Sequence, residues 1–342
     1  MSRALLSRRD FLKLSGCSLM GMLWPSLPGL LHQDDFDNLQ GRVMDRTLWM
    51  YAEPDFQSKR LKLYWRDLVM PITNTTISED GAAYNRVWYQ VGDGGYVYSG
   101  GIQPVRTILN EPQTIPRRGA LGEVSVPFTE ARLEADQNAE VVYRLYYESV
   151  HWVAASARNA TDGSTWYTLR DDKNHTSYYV PAQHIRLLTP DELAPLSPQL
   201  PAKEKFVEVR LDDQLLMAYE KGGLVFATRV STGGKRLSGR YTTPTGEFLT
   251  YHKRPTRHMA AGDIASSGFD LPGVPWVLYI KENGISFHGT YWHNDYGRPR
   301  SHGCINLTPQ AAKWLFRWTT PTVPPDKELI YGLVGTKVEI KV

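Results

Sequence analysis

From residue 41 to 106 apolar and polar positions alternate in short runs broken by Gly, Asp and Pro clusters, the pattern of strands rather than helices. Val87-Trp88-Tyr89-Gln90-Val91 meets Tyr96-Val97-Tyr98 across Gly92-Asp93-Gly94-Gly95, which predicts a hairpin, and Ile102 and Val105 close the segment. From 120 to 189 the pattern returns. Thr165-Trp166-Tyr167-Thr168-Leu169-Arg170-Asp171-Asp172 leads through Tyr178-Tyr179-Val180 to Ile185, Leu187 and Leu188, and Met50-Tyr51-Ala52-Glu53-Pro54 finds its counterpart in Pro127-Phe128-Thr129-Glu130-Ala131. Two copies of one small β module are therefore expected. The pairs Trp88-Tyr89 and Trp166-Tyr167 are read as module core rather than ligand platforms.

Pro190, Pro195, Pro198 and Pro201 mark residues 190–204 as a stiff, extended linker. A new domain, 205–342, follows. Phe206 to Leu211, Leu224 to Val230, Pro275 to Ile280, Ile285 to His288 and Lys337 to Val342 are strand candidates. One helix is predicted from Thr308 as N-cap and Pro309 at the first helical position, through Ala312, Leu315, Phe316 and Trp318. The fold class is thus mostly β with few helices.

Charge matters chiefly at the N-terminus. The chain holds 39 Lys and Arg against 36 Asp and Glu, and the surplus lies wholly within residues 1–33, so the remainder is balanced. A neutral body lacks the basic surplus with which duplex-binding proteins neutralise phosphates, so nucleic acid is excluded as a partner. In residues 1–33, Ser7-Arg8-Arg9-Asp10-Phe11-Leu12-Lys13 precedes an apolar run to Leu31, the order of a twin-arginine export signal. Export to the cell envelope is expected. Retained uncleaved, this segment would anchor the protein in the membrane. Leu14-Ser15-Gly16-Cys17 also has the look of a lipid-attachment box, placed unusually early.

Of the two cysteines, Cys17 lies in that leader, which leaves Cys304 as the one thiol of the exported body. Around it, Phe287-His288-Gly289-Thr290-Tyr291-Trp292-His293 and Arg298-Pro299-Arg300-Ser301-His302-Gly303-Cys304-Ile305-Asn306 gather three histidines. A thiolate attacks carbonyl carbon, and a neighbouring imidazole takes its proton and later protonates a leaving amine. Gly303 lets a carbonyl approach the backbone, where N–H groups can hold an oxyanion. His288 and His302 both qualify as the base on spacing alone. Arg298 and Arg300 are candidates for a substrate carboxylate, with solvated loop charges as the alternative reading. His288, His293, His302 and Cys304 match no common zinc spacing, so no metal or cofactor is expected. The order His before Cys, without a papain-type flank, argues against papain-like proteolysis.

Ser-His-Gly-Cys-Ile-Asn preceded by His288 closely resembles the signature of the YkuD-like L,D-transpeptidases of bacterial cell walls. Val230-Ser231-Thr232-Gly233 and Thr243-Pro244-Thr245-Gly246-Glu247-Phe248 look like that family's preceding strand and hairpin, so the resemblance runs over roughly 205–342. The segments 41–106 and 120–189 resemble small bacterial Src-homology-3-type barrels. Together these imply two small β-barrel modules followed by a β-rich L,D-transpeptidase catalytic domain, acting as a monomer on peptidoglycan stem peptides. The family resemblance makes Cys304 the nucleophile and His288 the general base and acid, oriented by the carbonyl of Gly289, with His302 shaping the pocket. Ser301, Asn306, Arg298, Arg300 and Tyr291 are then expected to contact substrate.

Overall fold

The computed structural model describes residues 36–92, 94–173, 175–234, 242–262 and 268–342. The leader with Arg8, Arg9 and Cys17 lies outside the described residues. The first unit contains β1 (Gln40–Val43), β2 (Thr47–Tyr51), β3 (Arg60–Trp65), β4 (Val69–Ile77), β5 (Val87–Val91), β6 (Gly95–Tyr98) and β7 (Ile102–Val105). The second contains β8 (Ala120–Val124), β9 (Phe128–Arg132), β10 (Val141–Tyr146), β11 (Val150–Arg158), β12 (Thr165–Arg170), β13 (Ser177–Pro181) and β14 (Ile185–Leu187).

The strands of the first unit lie in the order β3-β2-β6-β5-β4-β1-β7, and those of the second in the order β10-β9-β13-β12-β11-β8-β14. Shifted by one unit, these are the same order, so the repeat visible as Trp-Tyr pairs is a repeat of topology. Period-two alternation explains both. In the first sheet Met50, Tyr64, Ile72, Tyr89, Val91, Val97 and Ile102 share one buried cluster; in the second Ala131, Leu145, Val153, Tyr167, Leu169, Tyr178 and Val180 do so. Trp88 and Trp166 are buried, the former edge-on to Tyr51 at 5.6 Å.

Where the proline count predicts an extended spacer, the structure has a short helix and a docked strap. Helix α1 (Pro190–Leu193) starts in a capping box, the Thr189 hydroxyl accepting from the Glu192 N–H and the Glu192 carboxylate accepting from the Thr189 N–H. Leu193 and Leu196 pack on the C-terminal core, Leu196 N–H donates to the Arg317 carbonyl at 3.0 Å, and Lys313 binds Glu192 at 3.0 Å. The prolines restrict this segment, but its leucines give it a surface to bury.

The C-terminal domain has two five-stranded sheets. Strands β15 (Lys205–Arg210), β16 (Leu215–Glu220), β17 (Gly223–Arg229), β18 (Gly246–Leu249), β19 (His252–Ala261), β20 (Phe269–Tyr279), β21 (Ser286–Gly289), β22 (Ile305–Leu307), β23 (Ile330–Tyr331) and β24 (Lys337–Lys341) arrange as β17-β16-β15-β24-β18 and β22-β21-β20-β19-β23. Helix α2 (Pro309–Trp318) places Ala311, Ala312, Leu315, Phe316 and Trp318 in the core between them. Two buried lysines close its C-terminus: Lys253 Nζ donates to the Phe316 and Thr319 carbonyls, and Lys205 Nζ to that of Trp318. The same core takes in Leu121, Val150, Trp152 and Leu188 of the second unit.

Candidate active site

Strands β21 and β22 run parallel, with His288 opposite Asn306, so the strand bearing the histidine and the strand that follows the cysteine lie side by side. The chain between them returns through two bridges to the end of the other sheet, Ser231 with Asn306 and Gly233 with Ser301. Cys304 thereby sits at the start of β22, partly exposed.

The turn into Cys304 depends on Gly303, whose φ of +115° disfavours a residue with a Cβ. Its N–H donates to Ser301 Oγ at 3.0 Å, and its carbonyl accepts from the Thr243 hydroxyl at 2.8 Å. Ser301 Oγ in turn donates to the Cys304 carbonyl at 2.5 Å, and Thr243 accepts the Gly233 N–H at 2.8 Å. The loop is thus tied down on both sides of Cys304.

His288 is buried, and its Nδ1 donates to the Gly289 carbonyl at 3.0 Å. That bond leaves Nε2 as the acceptor, and His288 is hydrogen-bonded to Cys304. Ser286, two residues earlier and on the same strand face, lies with Oγ 3.6 Å from Cys304 Sγ, and the Gly284 carbonyl is equally distant. Burial pushes the thiol up, yet the hydrogen bond and charge of His288, aided by Ser286, outweigh it and hold Cys304 below its ordinary value. His302 is not among the leading causes. It borders the loop, its ring 5.8 Å from that of Phe269.

Several expected substrate contacts have other duties. Ser301 braces the loop that carries Cys304. Asn306 is buried, donating its side-chain amide to His293 Nε2 at 2.9 Å and exchanging backbone bonds with Ser231. Burial, with Arg300 close by, pushes His293 down to about 3, so it stays neutral under that amide. Tyr291 is buried as well: its hydroxyl donates to the Pro272 carbonyl at 2.7 Å, and its own carbonyl accepts from Arg42 of the first unit at 2.6 Å. Arg298 and Arg300 each reach Asp295 Oδ2 at 2.7 Å, an internal carboxylate in place of the expected substrate one. Asp295, 1% exposed, also receives the hydroxyls of Tyr84 and Tyr98 from the first unit.

Sequence reasoning misses Ser286, Thr243 and Asp295. Ser286 was within reach, because period two puts it beside His288. Thr243 and Asp295 act through partners far away in sequence.

This arrangement suits acyl transfer by a thiol, and the same stretch of chain carries a family signature. Residues 204–340 match the YkuD family, the L,D-transpeptidase catalytic domain. No curated protein matches the chain. Among solved structures, the NMR structure of the catalytic domain of an Enterococcus faecium L,D-transpeptidase is 25% identical over 40% of this chain and 95% of that one, with a TM-score of 0.31. A crystal structure of a mutant E. faecium L,D-transpeptidase is 24% identical over 40% of this chain, at a TM-score of 0.31, and the match spans 49% of that chain, about half its length. The L,D-transpeptidase from Mycobacterium smegmatis is 15% identical over 75% of this chain and 90% of that one, with a TM-score of 0.34. The stretch that matches this family model comprises the two C-terminal sheets and α2, with Cys304 immediately before the edge strand β22.

Proposed function

We propose that the chain is an exported L,D-transpeptidase that remodels peptidoglycan stem peptides through a thioester on Cys304. The observation that carries this reading is the Cys304–His288–Gly289 relay within a matched catalytic domain: a lowered thiol, an imidazole bonded to it, and a carbonyl that fixes the ring's tautomer.

In the first half-reaction Cys304 Sγ, deprotonated by His288, attacks the carbonyl carbon after the L-centre of the stem's diamino acid. The C–N bond breaks, the leaving D-residue amine takes the proton from His288, and a thioester remains. An acceptor amine then attacks the thioester, His288 takes its proton, and the C–S bond breaks to return the thiolate. Because the Gly303 N–H is already given to Ser301, the oxyanion falls to the N–H of Cys304, which none of the described residues engages. One such donor is worth roughly 3 kcal/mol of barrier. Water in place of the amine would make the enzyme an L,D-carboxypeptidase, and an idle domain would leave an envelope-binding protein.

The test is incubation of the full chain and its Cys304→Ala variant with purified tetrapeptide muropeptides, followed by mass spectrometry. Cross-linked dimers from the wild type alone support transpeptidation. Trimmed tripeptides alone identify a carboxypeptidase, and unchanged muropeptides an idle domain. Export is read by replacing Arg8 and Arg9 with Lys; precursor held in the cytoplasm supports the twin-arginine route.

A further inference from the structure

The sheet face that presents Ser286 to Cys304 continues away from the nucleophile into polar groups that acyl transfer does not use. Tyr279 is paired with Ser286 across β20 and β21 and with His252 across β19 and β20, while His252 is paired with Tyr331 of β23. Directly opposed residues share a face, so Tyr331, His252, Tyr279 and Ser286 form one row that ends at Cys304. The His252 ring is stacked between the other two, 4.7 Å from Tyr279 and 4.0 Å from Tyr331. It is 9% exposed, and its Nε2 has no hydrogen-bond partner among the described residues. A buried polar atom without a partner costs free energy unless something binds it.

Two arginines of β19 flank the row. Arg254 and Arg257 reach the same oxygen of Asp172, at 3.1 and 2.5 Å. Asp172 comes from the turn after β12 in the second unit, and its other oxygen accepts the His258 N–H at 2.7 Å. Arg257 also bonds the Tyr279 hydroxyl. This is a built carboxylate cradle, two guanidinium groups and a backbone N–H on one anion, set beside the row that leads to the nucleophile. Asp172 is shared between the two guanidinium groups, and the Arg257 side chain is 33% exposed.

We infer that Arg254 and Arg257, over the stacked Tyr279, His252 and Tyr331, form a specificity subsite that takes a free carboxylate on the acyl-donor peptide, with Asp172 holding the two forks in place. The subsite rests on the transpeptidase reading for the identity of its ligand. A peptide whose scissile carbonyl lies at Cys304 extends a neighbouring side chain along the row, and a carboxylate on that side chain meets the exposed part of Arg257. A carboxamide offers no charge to that guanidinium, and sites built around a charged hydrogen bond reject uncharged isosteres strongly.

Binding separates this inference from catalysis. Calorimetry would compare two synthetic stem tetrapeptides, identical except that the side-chain carboxyl of the diamino acid is free in one and amidated in the other. Both are titrated into the full chain carrying Cys304→Ala, so affinity is read without turnover. The expected result is at least tenfold tighter binding of the free carboxylate, a preference that falls to near unity when Arg257→Gln is added and is kept in part by Arg257→Lys. Iodoacetamide labelling of Cys304 in the Arg257→Gln protein at the wild-type rate checks that the fold is intact. Equal affinity for the two peptides, no binding of either, or a preference untouched in both Arg257 variants would overturn the subsite. Muropeptide turnover by the wild type tests the proposed function by itself.

Discussion

Tyr84, on the connection between β4 and β5, donates its hydroxyl to the carboxylate of Asp295, in the loop between β21 and β22. One residue belongs to the first N-terminal unit and the other to the loop leading into Cys304. Asp295 also holds Arg298 and Arg300, so the first unit grips the arginines that flank the nucleophile through a single buried anion. Tyr84→Phe is expected to cost about 2 kcal/mol of stability, the scale of a hydrogen bond to a charged group. A double-mutant cycle with Asp295→Asn, followed by thermal unfolding, should show coupling above roughly 0.5 kcal/mol; additive effects would sever the proposed link.

The thiol gives a pH test. His288 lowers Cys304 against the opposing effect of burial, so the alkylation rate should reach half its plateau below the ordinary thiol value of 9.0. With His288→Ala only burial and Ser286 remain, and the midpoint should move up. Iodoacetamide kinetics across pH measure both midpoints. The same variant should lose about 10² to 10⁴ in acyl transfer, the usual contribution of a general acid and base. His302→Ala should move the midpoint less than His288→Ala does.

Gly303→Ala should distort the nucleophile's turn. At φ +115° an alanine is strained by roughly 1 to 3 kcal/mol, and its Cβ would stand 2.7 Å from Ile285 Cδ1. Because that contact is with the far end of a flexible side chain, trimming it with Ile285→Val should fail to restore activity, which would show that the backbone carries the loss. Full rescue by Ile285→Val would assign the defect to the contact instead.

The joint between the second unit and the C-terminal domain should be pH-sensitive. His258 binds Asp171 at 2.5 Å and Asp270 at 2.6 Å; burial disfavours its charge, but the two carboxylates outweigh burial and raise its pKa. A raised histidine stabilises fully below its unfolded value near 6.5, and that stability is lost as pH rises through the folded value. His151 behaves oppositely: burial pushes it down to about 3, so its neutral form costs stability only as pH falls below about 6.5. The Tm gap between wild type and His258→Asn should therefore be widest in mildly acidic buffer and shrink in alkaline buffer. A gap that grows with pH would contradict the raised pKa.

Residues 190–204 should resist protease. Leu193 and Leu196 pack on the C-terminal core and the Leu196 N–H is bonded to Arg317, so limited proteolysis is expected to spare this part of the segment while cleaving exposed turns elsewhere. Early release of a fragment starting near Lys203 would show that the strap detaches.

Local chemistry makes the C-terminal domain legible. Thr308 and Pro309 announced α2, and the Thr308 hydroxyl does accept the Ala311 N–H; the alternation of Phe206 to Leu211 and of Lys337 to Val342 became paired strands. The motif around Cys304 named residues that the structure brings together. Pairing across long sequence distances was invisible. Nothing near Tyr291 announces Arg42, nothing near Arg257 announces Asp172, and nothing near Asp295 announces Tyr84, because each partner is delivered by an N-terminal unit whose placement only the packed molecule defines. The strap is hard to read for a different reason: its prolines favour an extended chain, and only the Thr189 and Glu192 capping pair marks the short helix.

The two topologically identical units have parted company in what they touch. The first supplies Tyr84 to Asp295, and the second supplies Asp172 to Arg254 and Arg257. A chain shortened to residues 205–342 would leave Asp295 without its tyrosines, release two guanidinium groups, and bare the face now covered by Leu121, Val150, Trp152 and Leu188. Thiol reactivity or binding measured on such a fragment would belong to a rewired molecule with a sticky surface, so tests of the site require the chain that keeps both copies of the duplicated unit.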